Sequence, residues 1–263
     1  MHRARKRFGQ NFLMDQGVIT AIVNALNPTP GMHVLEIGPG LGALTRPLFE
    51  RLEKLEVLEI DRDIVHTWQE AKQREGLDGL LIHEGDALQF DFASWAKQAK
   101  LTKERCALIG NLPYNISSPL LFHLIAAAPW VDEQIFMLQA EVVERITAPA
   151  GDSEYSRLSV MLQARYHVDY LMDVPPTAFE PQPKVDSAVI RMIPKADFSL
   201  TSVQWDVLSQ VVAVAFSQRR KMLRSNLQSV SQQLNLTDAE LKARAQDISV
   251  ERYIQWALML SGK

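Results

Sequence analysis

The 263-residue chain has one cysteine, Cys106. No intramolecular disulfide can form, and a reducing, cytoplasmic setting is expected. Cys106 opens an apolar run and reads as a buried small residue rather than a nucleophile. Long hydrophobic runs are missing too. Nothing approaches the roughly 18–20 uninterrupted apolar residues of a membrane span. The amino-terminal stretch MHRARKRFGQNFL is basic, but no apolar core of roughly 7–15 residues follows it, so it does not read as a signal peptide. The six histidines, at 2, 33, 66, 83, 123 and 167, are scattered without His or Cys partners at ligand spacing. No metal is expected. An overall positive charge is lacking as well. Lys and Arg number 28 against 31 Asp and Glu, for a net charge of −3, which argues against a wholly basic nucleic-acid binder.

What is present suits a folded core: 47% hydrophobic and 22% charged residues, in a length for one large domain or a medium domain with an appendage. The positive charge is clustered. Arg3, Arg5, Lys6 and Arg7 stand together near the start, and Arg219, Arg220, Lys221 and Arg224 stand together in SQRRKMLRSN. Each cluster is either a solvated face or a phosphate contact.

Strand-like and helix-like segments alternate from about 16 to 193, with strands expected at 33–38, 54–61, 80–86, 106–111 and 134–139. Helices are expected over 42–52, with Pro47 forcing a kink or a late start, over 118–128, with Ser118 as cap and Pro119 at the first position, and over 155–166. This alternation implies a mostly parallel sheet with helices on both faces. The last two strands, 167–174 and 187–194, are joined by VPPTAFEPQPKVD without a helix, which fits an antiparallel pair at the edge. Beyond about 195 every segment has helical spacing, including RRKMLRSNLQSVSQQL.

The first strand runs into LEIGPGLGALT, residues 35–45. Gly38, Gly40 and Gly42 form a loop in which the backbone can take positive φ and a ligand can approach closely, ahead of a helix amino terminus. Such a loop serves a dinucleotide, a nucleoside cofactor or a tight turn. The second strand ends in Glu59, 21 residues beyond Gly38, where an acid accepts ribose hydroxyls. The third ends near Asp86, where an acid receives an exocyclic amine. The fingerprint is not the dinucleotide G-x-G-x-x-G, and together these residues resemble the class I S-adenosylmethionine methyltransferase pattern.

The fourth strand ends in Asn111-Leu112-Pro113-Tyr114. An adenine amine is a poor nucleophile, and its attack on a methyl sulfonium needs aim more than a base. The Asn111 side-chain oxygen and the Leu112 carbonyl can accept its two N–H groups, Pro113 can fix the turn, and Tyr114 can stack on the base. A base within a helix must be flipped out to reach such a site. Phe179, flanked by prolines, is the candidate for a second stacking face opposite Tyr114, with Lys184 near a phosphate.

RKRFGQNFL at 5–13, EIGPGLGALT, LEIDRD, GDAL, GNLPYNISSPLLFHL, FMLQAEVVERI, YSRLSVMLQ, PPTAFEPQPKVDSAVIR and FSQRRKMLRSNL together resemble the ribosomal RNA small-subunit adenine N6-dimethyltransferase family nearly end to end. The resemblance implies an α/β class I S-adenosylmethionine methyltransferase fold, Rossmann-like, with a mostly parallel sheet and an antiparallel edge strand, over 1–194. A small all-α RNA-binding domain over 195–263 follows. It implies S-adenosyl-L-methionine as cofactor, bound by Asn11, Leu13, Gly38, Glu59, Asp86 and Asn111. Two adjacent adenosines in the 3′-terminal hairpin loop of small-subunit rRNA, within an immature 30S particle, are the implied substrate. RNA contacts are implied for both basic clusters. A cytoplasmic monomer without metal is expected. A largely non-catalytic assembly factor and a large-subunit rRNA methyltransferase are the competing readings.

Overall fold

The computed structural model describes residues 11–262. In chain order the elements are β1 (Phe12–Leu13), α1 (Gln16–Leu26), β2 (His33–Ile37), α2 (Thr45–Leu52), β3 (Leu55–Glu59), α3 (Arg62–Glu75), β4 (Leu80–Glu84), α4 (Phe92–Lys100), β5 (Cys106–Asn111), α5 (Ser117–Leu124), β6 (Glu133–Gln139), α6 (Ala140–Thr147), α7 (Arg157–Arg165), β7 (Tyr166–Val174), β8 (Phe179–Glu180), β9 (Ser187–Pro194), α8 (Ser202–Ala215), α9 (Leu223–Asn226), α10 (Asp238–Lys242) and α11 (Val250–Leu260).

One sheet has the order β4-β3-β2-β5-β6-β9-β7. The β4–β3, β3–β2, β2–β5 and β5–β6 pairings are parallel, and β9 runs antiparallel to β6. This is the mostly parallel class I arrangement. The chain proceeds outward from β2 through β3 to β4, then returns to lay β5 on the other side of β2. Such a reversal leaves a crevice at the carboxyl ends of β2 and β5. A separate two-residue ladder pairs β1 with β8, matching Phe12 with Glu180 and Leu13 with Phe179.

Strand alternation sorts the core. Val34, Leu55, Val57, Ile109, Ile135 and Met137 share one cluster with the buried faces of α1, α2 and α3. The same parity puts Glu36 and Glu59 on that side of the sheet. Helix α2 starts late, at Thr45, so Pro47 sits in its first turn, where a missing N–H costs nothing. Ser118 is not the cap of α5. The helix begins at Ser117, whose hydroxyl donates to the Tyr114 carbonyl at 3.2 Å.

Two compact units result. One takes the described residues up to Val143 together with Asp169–Pro194, and the other takes Glu144–Val168 together with the residues from Lys195 onward. The helical unit therefore reclaims a segment that a division at 194 leaves with the sheet. Tyr155 is fully buried in it, 6.2 Å from the Phe216 ring, and the Lys195 amide donates to the Arg165 carbonyl at 2.9 Å. The expected helix over RRKMLRSNLQSVSQQL shrinks to α9. The Asn226 side chain donates to the carbonyls of Ala215 (2.6 Å) and Gln218 (3.2 Å), closing the end of α8 so that 217–222 turn.

At the end of the strands opposite the crevice, Glu133 opens β6, largely buried. Its carboxylate meets Arg105 and lies 3.4 Å from the Arg191 guanidinium. The same two arginines donate to the Leu26 and Ala25 carbonyls at the end of α1. Replacing Glu133 by Ala removes the charge that holds both. We expect a loss of about 2–3 kcal/mol, read as a lower urea midpoint with an unchanged slope. A loss under about 0.5 kcal/mol would show that both arginines are satisfied by water.

Candidate active site

A cleft of about 760 Å³ opens at the carboxyl ends of the parallel strands. Its wall takes in Gly38–Leu44 after β2, Glu59 and Ile60 after β3, Gly85–Leu88 after β4, Asn111–Ile116 after β5, and Asn11–Met14.

The glycine loop has the backbone its composition predicts: φ is +72° at Gly38, +52° at Gly40 and +95° at Gly42. Gly42 has a second reason to lack a side chain, since a Cβ there would fall 2.6 Å from the Trp68 ring. Trp68, on α3, backs the loop and donates its indole N–H to the Gly40 carbonyl at 2.9 Å. The Arg46 guanidinium lies over the same ring.

Glu59 accepts the Asp61 amide at 2.8 Å and the Gly40 amide at 3.4 Å. Burial raises its pKa above the usual carboxylate range, opposed by those amides. A carboxylate offers about four acceptor sites, so room remains for hydroxyl donors. Asp86 accepts the Leu88 amide at 2.9 Å and is half-buried.

Gly110 lets β5 press against β2, and a Cβ on Gly38 would lie 3.9 Å from the Asn111 carbonyl. The glycine loop and the Asn111 turn are thus neighbours. The Asn111 side-chain NH₂ donates to the Asn11 carbonyl at 3.1 Å. The Leu112 side chain is buried, and its amide donates to Met137 across the sheet at 3.1 Å. Pro113 accepts the Ile116 amide and closes the turn. The Tyr114 hydroxyl is 2.6 Å from the buried Ser187 hydroxyl at the start of β9. Burial pushes the Tyr114 phenol up, so it stays protonated.

The structure brings Asn11, Leu13, Gly38, Glu59, Asp86 and Asn111–Tyr114 to one cleft. It does not bring Phe179. That residue is 3% exposed, pairs with Leu13 through the β1–β8 ladder and belongs to the core. To face Tyr114 across a base, as the sequence suggests, this side chain would have to leave that core. Lys184 is exposed on the loop before β9, and Arg219, Arg220, Lys221 and Arg224 are exposed in the helical unit. Arg3, Arg5, Lys6 and Arg7 lie outside the described residues. Among the described residues no group of His, Cys, Asp or Glu could hold a metal, and no helix is long and apolar enough to cross a membrane.

Three residues escaped the sequence reading. Ile60 is 44% exposed and, with half-buried Leu88, gives the cleft apolar wall. Glu36 is 1% exposed, and its Oε2 has no hydrogen-bond partner among the described residues. Strand parity with Glu59 was the available signal. Burial, with a smaller push from Glu59, raises its pKa to about 8, and Thr45 opposes the shift. A buried acid in a cleft with one oxygen left without a donor is a donor-seeking group.

The family described as ribosomal RNA adenine dimethylase matches over residues 1–261. The chain is 49% identical over 262 residues to the Ribosomal RNA small subunit methyltransferase A of Dechloromonas aromatica, covering 99% of each. It is 54% identical over 263 aligned positions to the protein of that name from Burkholderia thailandensis, covering 97% of this chain and 93% of the relative. A dimethyladenosine transferase from Plasmodium falciparum superposes with a TM-score of 0.78 at 26% identity, covering 95% of this chain and 98% of that one.

Because the folded chain holds the Glu36 proton from the ordinary 4.5 up to about 8, folding takes up a proton in that window. Stability therefore falls as pH rises through it and levels off above. Glu36→Gln removes this slope. Without ligand, the variant should match the parent near the acid end of the window and exceed it at the alkaline end, by at most about 5 kcal/mol, in urea unfolding. Equal pH dependence in both chains would contradict this assignment.

Proposed function

The chain belongs to the ribosomal RNA adenine dimethylase family, and on that premise we propose which residues do the work and on which RNA. It is an S-adenosylmethionine-dependent rRNA adenine N6-dimethyltransferase. The observation that carries the assignment of residues is the contact between two loops. The Gly38–Gly42 turn and the Asn111–Tyr114 turn share one cleft, and the second turn's only ionisable group is a phenol whose pKa burial raises further.

The cleft's chemistry suits that cofactor. The main chain of Gly38 to Gly42, with Asn11 and Leu13, would cradle it. Glu59 would take its ribose hydroxyls, Asp86 its adenine amine, and Ile60 and Leu88 the face of its base. The free Oε2 of Glu36 is the group left for a positively charged end. When bound, S-adenosylmethionine supplies an electrophilic methyl on a cationic sulfur.

Everything else falls to the chain. The Asn111 oxygen and the Leu112 carbonyl accept the target amine's N–H groups and aim its lone pair. Tyr114 stacks on the base, its ring held at the far end by Ser187. Water takes the proton, since the turn holds no base. Aim, not acid–base chemistry, is the protein's contribution.

The substrate we infer is a pair of adjacent adenosines in the 3′-terminal hairpin loop of small-subunit rRNA, within an immature 30S particle. Lys184 and the exposed Arg219, Arg220, Lys221 and Arg224 would meet its phosphates, as would Arg3, Arg5, Lys6 and Arg7. A cytoplasmic monomer fits this task. Immature small subunits from cells lacking the protein, incubated with methyl-labelled cofactor, should gain label at adenine N6 by mass spectrometry. Asn111→Ala should lower the rate about 100-fold or more. Label elsewhere, or none, would overturn the reading.

A further inference from the structure

The proposed role of Asn111 is to accept a hydrogen bond from the target amine. Acceptor duty alone does not choose asparagine. Aspartate has the same shape and offers oxygens at both ends. The choice lies in what the other end of the side chain touches. Its terminal nitrogen is 3.1 Å from the main-chain oxygen of Asn11. A carbonyl oxygen only accepts, so the atom facing it must carry hydrogen. With Nδ2 committed there, Oδ1 is the end of the amide left for the cleft that Asn111 lines.

Resting on that acceptor role, we propose that the main-chain carbonyl of Asn11 is a positioning group for methyl transfer: it selects asparagine over aspartate at 111 and sets which end of the amide meets the adenine. The carbonyl is well placed for this. The next two residues form the β1–β8 ladder, Leu13 and Phe179 are both buried, and the Met14 amide donates to Ala178 at 2.8 Å. Phe179 thus serves the site through the core, by anchoring the strand that carries this oxygen.

The test is Asn111→Asp followed across pH. As a carboxylate, the new side chain sets oxygen against the Asn11 oxygen with no hydrogen between them. Protonated, it carries one O–H for Asn11 and keeps one acceptor oxygen for the amine, so it reproduces the amide. Relative to the parent chain, methylation by the variant should be down about 100-fold near pH 8 and should recover about tenfold by about pH 5.5. A ratio that does not change with pH overturns the proposal, as does parental activity near pH 8. Asn111→Ala, run beside it, keeps the two readings apart. If it too is fully active, residue 111 does not aim the amine at all.

A measurement on the parent chain covers the case in which the variant does not fold. In ¹⁵N-labelled protein, one Asn111 side-chain NH₂ proton should exchange with solvent at least about tenfold more slowly than a free amide. Exchange of both protons at the free rate overturns the proposal.

Discussion

Gly110 has no room for a side chain. A Cβ there would come within 2.5 Å of the Ile37 carbonyl, so β5 can lie against β2 only because this residue is glycine. The rest of the site depends on that approach. The two strands are joined parallel, with Val34 opposite Ala107 and Glu36 opposite Ile109, and each ends in a loop with a distinct task. One loop is all backbone and positive φ. The other offers an amide, a carbonyl and a ring. Held side by side, they line one cleft, and in the proposed reading a cradle for a nucleoside cofactor adjoins a seat for a planar amine. Trp68 on one side and Ser187 on the other keep each loop in shape. Neither residue needs to touch a ligand to matter.

Much of this was legible in the chain. The glycine spacing, the acids at the ends of the second and third strands and the NLPY turn are local signals. The topology that unites them follows from strands alternating with helices. What could not be read depends on distant partners. Glu36 looks like any polar residue in EIGPG until the sheet puts it beside Glu59 and beneath α2. Phe179, between prolines, reads as a displayed ring, and its burial against Leu13 depends on a strand far away in the chain. The helix expected beyond Arg219 ends early because Asn226 spends its side chain on the end of α8. In each case a tertiary hydrogen bond or burial overrules a local preference.

The electrostatics of the cleft are consistent with its chemistry. Burial opposes the ionisation of both Glu36 and Glu59, and it pushes the Tyr114 phenol up. A site that must create or relay charge would place a base or a cation near the reacting atoms. This one concentrates latent negative charge where a cationic donor would bind and keeps the seat for the amine uncharged.

The division of the chain into units bears on how the protein is made. The helical unit is built from two separated stretches, Glu144–Val168 and the residues from Lys195 onward. During synthesis the first stretch emerges well before the second. Until Phe216 arrives, fully buried Tyr155 lacks the ring that lies 6.2 Å from it in the finished fold. Apolar surface left waiting in this way invites wrong contacts. The sheet, by contrast, has its first five parallel strands in hand by Gln139 and needs only β9 and β7 to finish. By then the described residues that line the cleft have all been made, while the helical unit still waits for α8 and α11.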